Sequence, residues 1–312
     1  VNELSSPVAA IQREGRSIFV SAPDGLRLHV REYGPAASSG LPVVCLPGLA
    51  RTTADFATLA PALTDGQSPR RVIAIDSRGR GQSEYDPDPQ HYNVAVELAD
   101  VVAVLTSLQI GRAVFVGSSR GGILTMLLAA TNPAAIAGAV LHDIGPVIEP
   151  EGLARIKGYV GKLRQPQTLA EGADILRALF ESQFPRLTPE HWLAAAGRTW
   201  KNERGALVAT YDVRLASTLA DFDSGRPPPT LWNEFDGLAR VPVLVIRGAT
   251  SDILSEATVS AMRARHPDLE CIEVPDQGHV PLLEGAMLLQ RIAAFVGKCE
   301  RSVPSQGGTA PS

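Results

Sequence analysis

Short apolar runs recur along the chain at 42–46, 72–75, 113–116, 139–141 and 241–246, and residues 271–274 form a more mixed sixth run. Each of the first five is apolar at nearly every position. That pattern fits central strands of a parallel sheet, buried on both faces by helices. Residues 94–108 and 122–130 carry apolar side chains at helical spacing between these runs. Strand-helix alternation of this kind predicts a doubly wound, mostly parallel α/β sheet. Near the start, residues 17–21 and 26–32 flank Pro23-Asp24-Gly25 and read as a hairpin.

The alternation stops between about Gly145 and Leu238. This stretch is helix-like without a clear strand, holds Trp192, Trp200 and Trp232, and has the turn Pro227-Pro228-Pro229 near its end. It reads as a helical insertion over the carboxyl edge of the sheet. The expected organisation is a core of 1–144 and 239–298, a helical cap of 145–238 and a disordered tail of 299–312 rich in Ser, Pro and Gly.

Composition narrows the function. With 312 residues, 45% of them hydrophobic, the chain can bury one large core and an insertion. A net charge of −4 without a long basic run argues against nucleic acid and against an anionic membrane surface as partners. No apolar stretch is long enough to span a bilayer, and residues 1–16 lack the apolar segment of a secretory signal. The expectation is a cytoplasmic protein acting on a small molecule. Cys45 and Cys271 lie in strand-like runs and read as buried thiols, while Cys299 lies near the polar tail. No Cys/His ligand spacing occurs, so neither metal nor another cofactor is expected.

The strongest chemical signal is Gly117-Ser118-Ser119-Arg120-Gly121, between a strand and a helix. A nucleophile on so tight a turn brings the residues two before and two after it together, and both must be small. Centred on Ser119 these are Gly117 and Gly121; centred on Ser118 they are Val116 and Arg120, which would clash. Ser119 is therefore the candidate nucleophile, at a helix N-terminus that favours negative charge. A serine hydroxyl needs a base. His279, on the loop after the last strand-like run, is the candidate. His142 ends a strand and reads as a buried, hydrogen-bonded ring; His29, His91, His191 and His266 read as structural or solvated. Two carboxylates can orient the base and keep the order Ser, Asp, His. Asp252 follows the run 241–246, and Asp143 follows the run 139–141. Backbone N–H groups of Arg120 and Leu49 are the candidate oxyanion donors. Arg51 and Arg120, beside them, can bind a substrate carboxylate or pair with a nearby acid such as Asp55 or Asp76. Trp192 is a candidate pocket wall.

From about Ser17 to Val296 the sequence resembles the α/β-hydrolase superfamily, in the capped branch of ester hydrolases, carbon–carbon bond hydrolases, epoxide hydrolases and haloalkane dehalogenases. Asp76-Ser77-Arg78-Gly79-Arg80-Gly81-Gln82-Ser83 is similar to that branch's D-x-R-G-x-G-x-S turn, which is mainly structural. The resemblance implies Asp252 as the acid, leaving Asp143 a structural carboxylate. The usual His-Gly of the oxyanion loop is Pro47-Gly48 here. Epoxide hydrolases and dehalogenases of the branch carry an aspartate nucleophile, so Ser119 argues against both chemistries. The implied reaction is acyl transfer to water on a small or medium ester or lactone. The alternatives are cleavage of a carbon–carbon bond in a diketone-like acid, or a slow-turnover binding protein on the same fold.

Overall fold

In the computed structural model, which describes residues 15–65, 69–223 and 228–302, the fully apolar runs become the middle of a sheet. The strands are β1 (Arg16–Ser21), β2 (Arg27–Tyr33), β3 (Val43–Leu46), β4 (Val72–Ile75), β5 (Ala113–Ser118), β6 (Ile136–His142), β7 (Trp200–Glu203), β8 (Ala206–Ala209), β9 (Val243–Gly248) and β10 (Glu270–Val274). Eight of them form one sheet in the order β1-β2-β4-β3-β5-β6-β9-β10. The pairs β1–β2 and β2–β4 are antiparallel and the rest parallel. Every residue of β3, β4, β5, β6 and β9 is buried.

Successive residues of these strands feed opposite layers, because side chains alternate across a sheet. Phe115, Leu141 and Val245 join a core with α3 (Arg120–Thr131), whereas their neighbours Val114, Val140 and Leu244 join a second core with α9 (Ala286–Arg301). The other core helices are α1 (Leu59–Thr64), α2 (Val94–Ser107), α7 (Trp232–Asp236) and α8 (Glu256–Arg265). Helix α2 begins at Asn93, whose side chain accepts from the N–H groups of Ala95 and Val96.

Between β6 and β9 run α4 (Pro150–Tyr159), α5 (Leu169–Phe180) and α6 (Pro189–Thr199). Thr168 caps α5, and Thr188 with His191 forms a capping box on α6. Leu176, Trp192, Ala196, Trp200 and Leu207 bury one another in a small separate core. The expectation that this region lacks strands is corrected: β7 and β8 form an antiparallel hairpin. Its turn is Arg204-Gly205, both at positive φ, the backbone of a tight hairpin turn. Only Trp200 and Leu207 in the hairpin are buried, so no apolar run marked it.

The tail boundary also moves. Helix α9 continues to Arg301, and Cys299 is buried where its Sγ would collide with a Cβ on Gly138 of β6. Cys45 is buried and Cys271 half-buried, and burial pushes all three thiols up, Cys299 to about 12. No helix among the described residues is long and apolar enough to cross a membrane. The expectations for residues 1–14, for Pro227 and for the tail beyond Ser302 lie outside the described residues.

Candidate active site

Strands β5 and β6 are in register with Ser118 opposite His142, so the next residues, Ser119 and Asp143, leave the sheet side by side. Both sit at positive φ, 48° and 54°. Non-glycine residues rarely adopt this backbone, and here hydrogen bonds hold it: Ser119 N–H donates to His142 O at 3.0 Å and Asp143 N–H to Ile246 O at 2.7 Å. The steric argument for the flanking glycines is visible in the packing. A Cβ on Gly117 would strike the Gly121 carbonyl, and one on Gly121 would strike the Leu46 carbonyl.

Ser119, His279 and Asp143 form a continuous chain. His279 Nε2 is 2.9 Å from Ser119 Oγ, and His279 Nδ1 is 2.8 Å from Asp143 Oδ2. Asp143 is fully buried, and its oxygens also accept from Gly248 N–H at 2.7 Å and Ser251 Oγ–H at 2.6 Å. A carboxylate accepting these bonds holds the Nδ1–H tautomer of His279 and leaves Nε2 free to take the Ser119 proton.

The placement of Asp252 against the histidine is therefore corrected. Its carboxylate is taken at both oxygens by Arg155 of α4, at 2.6 and 2.8 Å. Burial opposes the Asp252 charge, but Arg155 outweighs it and holds the carboxyl below its ordinary range. The physical reason is adjacency. Strand β6 lies directly beside β5, which leads into Ser119, whereas the β9 loop meets Asp143 through Gly248 and Ser251, which brace it.

Ser118 and His142 form a second pair beneath this chain. Ser118 Oγ donates to His142 Nδ1 at 2.6 Å, and His142 Nε2–H donates to Pro281 O at 2.8 Å. Burial pushes the ring down to about 4, which keeps it neutral. His142 thus pins the loop that carries His279. The remaining histidines have local tasks: His29 on Asp76, His91 on Asp86, His191 in the cap of α6 and His266 on Val241 O.

The glycine-rich turn after β4 is a scaffold. Asp76 accepts from the N–H groups of Thr53 and Gln82 and from His29, and Ser83 Oγ donates to Asp76 O. Gly81, at φ 58°, lies so close that a Cβ would run into the Asp76 carboxylate. Arg78 is buried among Asp24, Asp86 and Asp100. Arg80 Nε donates to Leu49 O at 2.7 Å, and its Nη1 stands 2.8 Å from Glu97. Glu97, on α2, also accepts from Arg120 Nε at 2.7 Å. One buried carboxylate therefore ties together Arg120, which follows Ser119, and the arginine that holds the Leu49 carbonyl. Burial opposes its charge, but the two guanidiniums hold its carboxyl below the ordinary range. The Arg120 N–H is the first of α3 and has no partner within its helix.

These elements open on a cavity of about 220 Å³ lined by Ser119, His279, Leu49 and Arg51 from the core and by side chains of α4–α6, Trp192 among them. Arg51 is bound to Asp55 at 2.7 and 2.5 Å. Arg120 is absent from the cavity wall, its guanidinium taken by Glu97, so its candidacy as a substrate ligand is corrected. Trp192 is both wall and core. Besides Glu97 and Arg155, two further residues escaped sequence reasoning. Ser251 braces Asp143, and Arg198, in the last turn of α6, reaches the cavity. Only three-dimensional contact marks either one.

Sheet order, strained serine and hydrogen-bonded histidine define a protein of the α/β-hydrolase class. The family described as alpha/beta hydrolase fold matches residues 42–286, and the chain belongs to it. A 3-hydroxybutyrate-oligomer hydrolase of Cupriavidus necator is 35% identical over 83% of this chain and 89% of its own length. A 2-(acetamidomethylene)succinate hydrolase of Mesorhizobium japonicum is 27% identical over 87% and 92%. Among solved structures, an alpha/beta hydrolase from Novosphingobium aromaticivorans is 40% identical, with a TM-score of 0.84 over 93% of this chain and 99% of that one.

Proposed function

We propose that the protein is a serine hydrolase that cleaves a small or medium carboxylic ester or lactone through an acyl-enzyme. The observation that carries this reading is the unbroken hydrogen-bonded chain Ser119–His279–Asp143, with Ser119 on a strained turn at the mouth of a helix. His279 takes the Ser119 proton as Oγ attacks the ester carbonyl, and Asp143 stabilises the imidazolium. The N–H groups of Arg120 and Leu49 receive the oxyanion. The protonated His279 gives its proton to the departing alcohol. Water, activated by the same imidazole, then releases the acid. The segment from α4 to α6 acts as a cap that selects what enters, with Tyr159, Phe180 and Trp192 as apolar wall. Asp252 serves as an anchor of this cap through Arg155.

The similarity to a hydrolase of 3-hydroxybutyrate oligomers, which are esters, supports ester cleavage over carbon–carbon cleavage. Steady turnover of a para-nitrophenyl ester, lost in Ser119→Ala, is the expected result. A single burst of nitrophenol followed by near-zero turnover of every ester and lactone tried would replace this reading with that of a slow binding protein.

A further inference from the structure

The cavity carries a cation whose acid is already taken. Arg51 and Arg198 both line it, one from the loop after β3 and one from α6. They share one close carboxylate, Asp55. Arg51 holds both its oxygens, while Arg198 Nε stands 3.6 Å away, outside hydrogen-bond range. Arg198 Nε is buried and has no hydrogen-bond partner among the described residues. The remaining acid of the wall, Glu284, stands 3.8 Å from His191, is about a third exposed, and acts on Arg198 through charge alone, with no hydrogen bond to its Nε. Burial and the positive charge of Arg51 push the Arg198 guanidinium below its ordinary value. It remains a cation at neutral pH, since arginine titrates far above that range.

A buried donor without a partner destabilises the empty site and is relieved by an incoming acceptor. The planar guanidinium fork matches a carboxylate through paired, charge-assisted hydrogen bonds. The position suits a substrate group. Arg51 Cγ and Ser119 Cβ both lie within 3.6 Å of the point where a Cβ on Gly48 would stand. The stem of Arg51 therefore starts beside Ser119, and Arg198 lines the same cavity. Leu176, Phe180 and Phe184 make much of the rest of the wall apolar. The cavity thus presents a reactive serine, an apolar surface and one under-bonded cation.

We infer that Arg198, backed by Arg51 and Asp55, binds a free carboxylate on the substrate, so that the enzyme acts on short esters ending in an acid group. This rests on the serine-hydrolase reading of the same cavity.

Two matched pairs of substrates test it. For an acid on the acyl side, the para-nitrophenyl half-ester of glutaric acid is compared with para-nitrophenyl pentanoate. For an acid on the alcohol side, the butyrate ester of glycolic acid is compared with that of glycolamide. The wild type should prefer the acid in at least one pair, by kcat/KM. Arg198→Met should lower that acid-to-neutral ratio about tenfold or more, as expected for losing a charged hydrogen bond. Arg198→Lys, which keeps the charge, should retain part of the ratio. If Arg198→Met fails to fold, Arg198→Gln gives the same comparison. No preference for the acid in either pair, or a ratio that survives removal of the charge, overturns the inference. The two readings separate cleanly. Ser119-dependent turnover of the neutral esters without acid preference leaves a hydrolase and removes the carboxylate site. No turnover of any ester, with glutarate binding seen by calorimetry and lost in Arg198→Met, removes the hydrolase and keeps the site.

Discussion

At the floor of the cavity, position is set by main chain. Ser119 and Asp143 emerge from adjacent parallel strands, their N–H groups fixed by carbonyls of the neighbouring strand, and Asp143 is further held by the Gly248 N–H. At the roof, position is set by side chains. Helices α5 and α6 pack on a small core of their own, and α4 is joined to the body by side-chain contacts such as the partly exposed Arg155–Asp252 ion pair. The main chain of the floor cannot shift without disturbing the sheet. The roof can change residue by residue at small cost, since such ion pairs contribute about 0–1 kcal/mol. Under the proposed function, chemistry sits where geometry is over-determined and selectivity where it is adjustable.

The strongest way to break this contrast is at the floor. Ser119→Ala should lower kcat on the order of a million-fold with the fold intact, judged by circular dichroism. Residual turnover above a hundredth of wild type would show that another group attacks.

The two aspartates sharpen it next. Asp143→Asn should cost on the order of ten-thousand-fold in kcat, because the imidazole loses its tautomer and its charge partner. Asp252→Asn loosens the Arg155 contact and removes a charge that acts on His279 without touching it, and should cost about tenfold or less. The reverse ranking, with both variants folded, would restore Asp252 as the acid.

Glu97 tests whether the donors belong to the floor. Glu97→Gln leaves Arg80 and Arg120 buried without their carboxylate, so stability should fall by about 3–5 kcal/mol in urea unfolding. Turnover of the surviving folded enzyme should fall about tenfold in kcat, with KM little changed, as the donor peptides lose their bracing. A rise in KM alone would place Glu97 in substrate binding instead.

The smallest effect concerns His142. Its folded ring titrates near 4, below the ordinary histidine value of about 6.5, so the unfolded chain binds the extra proton first. The stability it contributes is present above pH 6.5 and is lost as pH falls from there toward about 4. Urea midpoints should fall across that window in the wild type, and the fall should be shallower in His142→Gln. An identical slope in both would show that other groups carry the acid sensitivity.

This contrast also explains what the sequence made legible. The middle of the sheet is visible because β3, β4, β5, β6 and β9 are buried on both faces and therefore apolar at nearly every position, and Ser119 because glycine alone fits two residues to each side. Asp143 and Asp252 were indistinguishable locally, since each follows a strand at the same edge. The register that sets Asp143 beside Ser119 depends on β6 being the spatial neighbour of β5, which strand patterns do not encode. The hairpin β7–β8 and the Arg198 side chain belong to the roof, where few positions are buried and contacts come from distant segments. There, local patterning carries little information.

The central claim is that Ser119 is the attacking group, and covalent capture tests it most directly. The wild-type protein treated with a fluorophosphonate, digested and mapped by mass spectrometry should carry one adduct, on Ser119, at a rate that collapses in Asp143→Asn. An adduct on Ser118 or on any other residue, or no adduct under conditions in which the protein turns over an ester, would contradict the account.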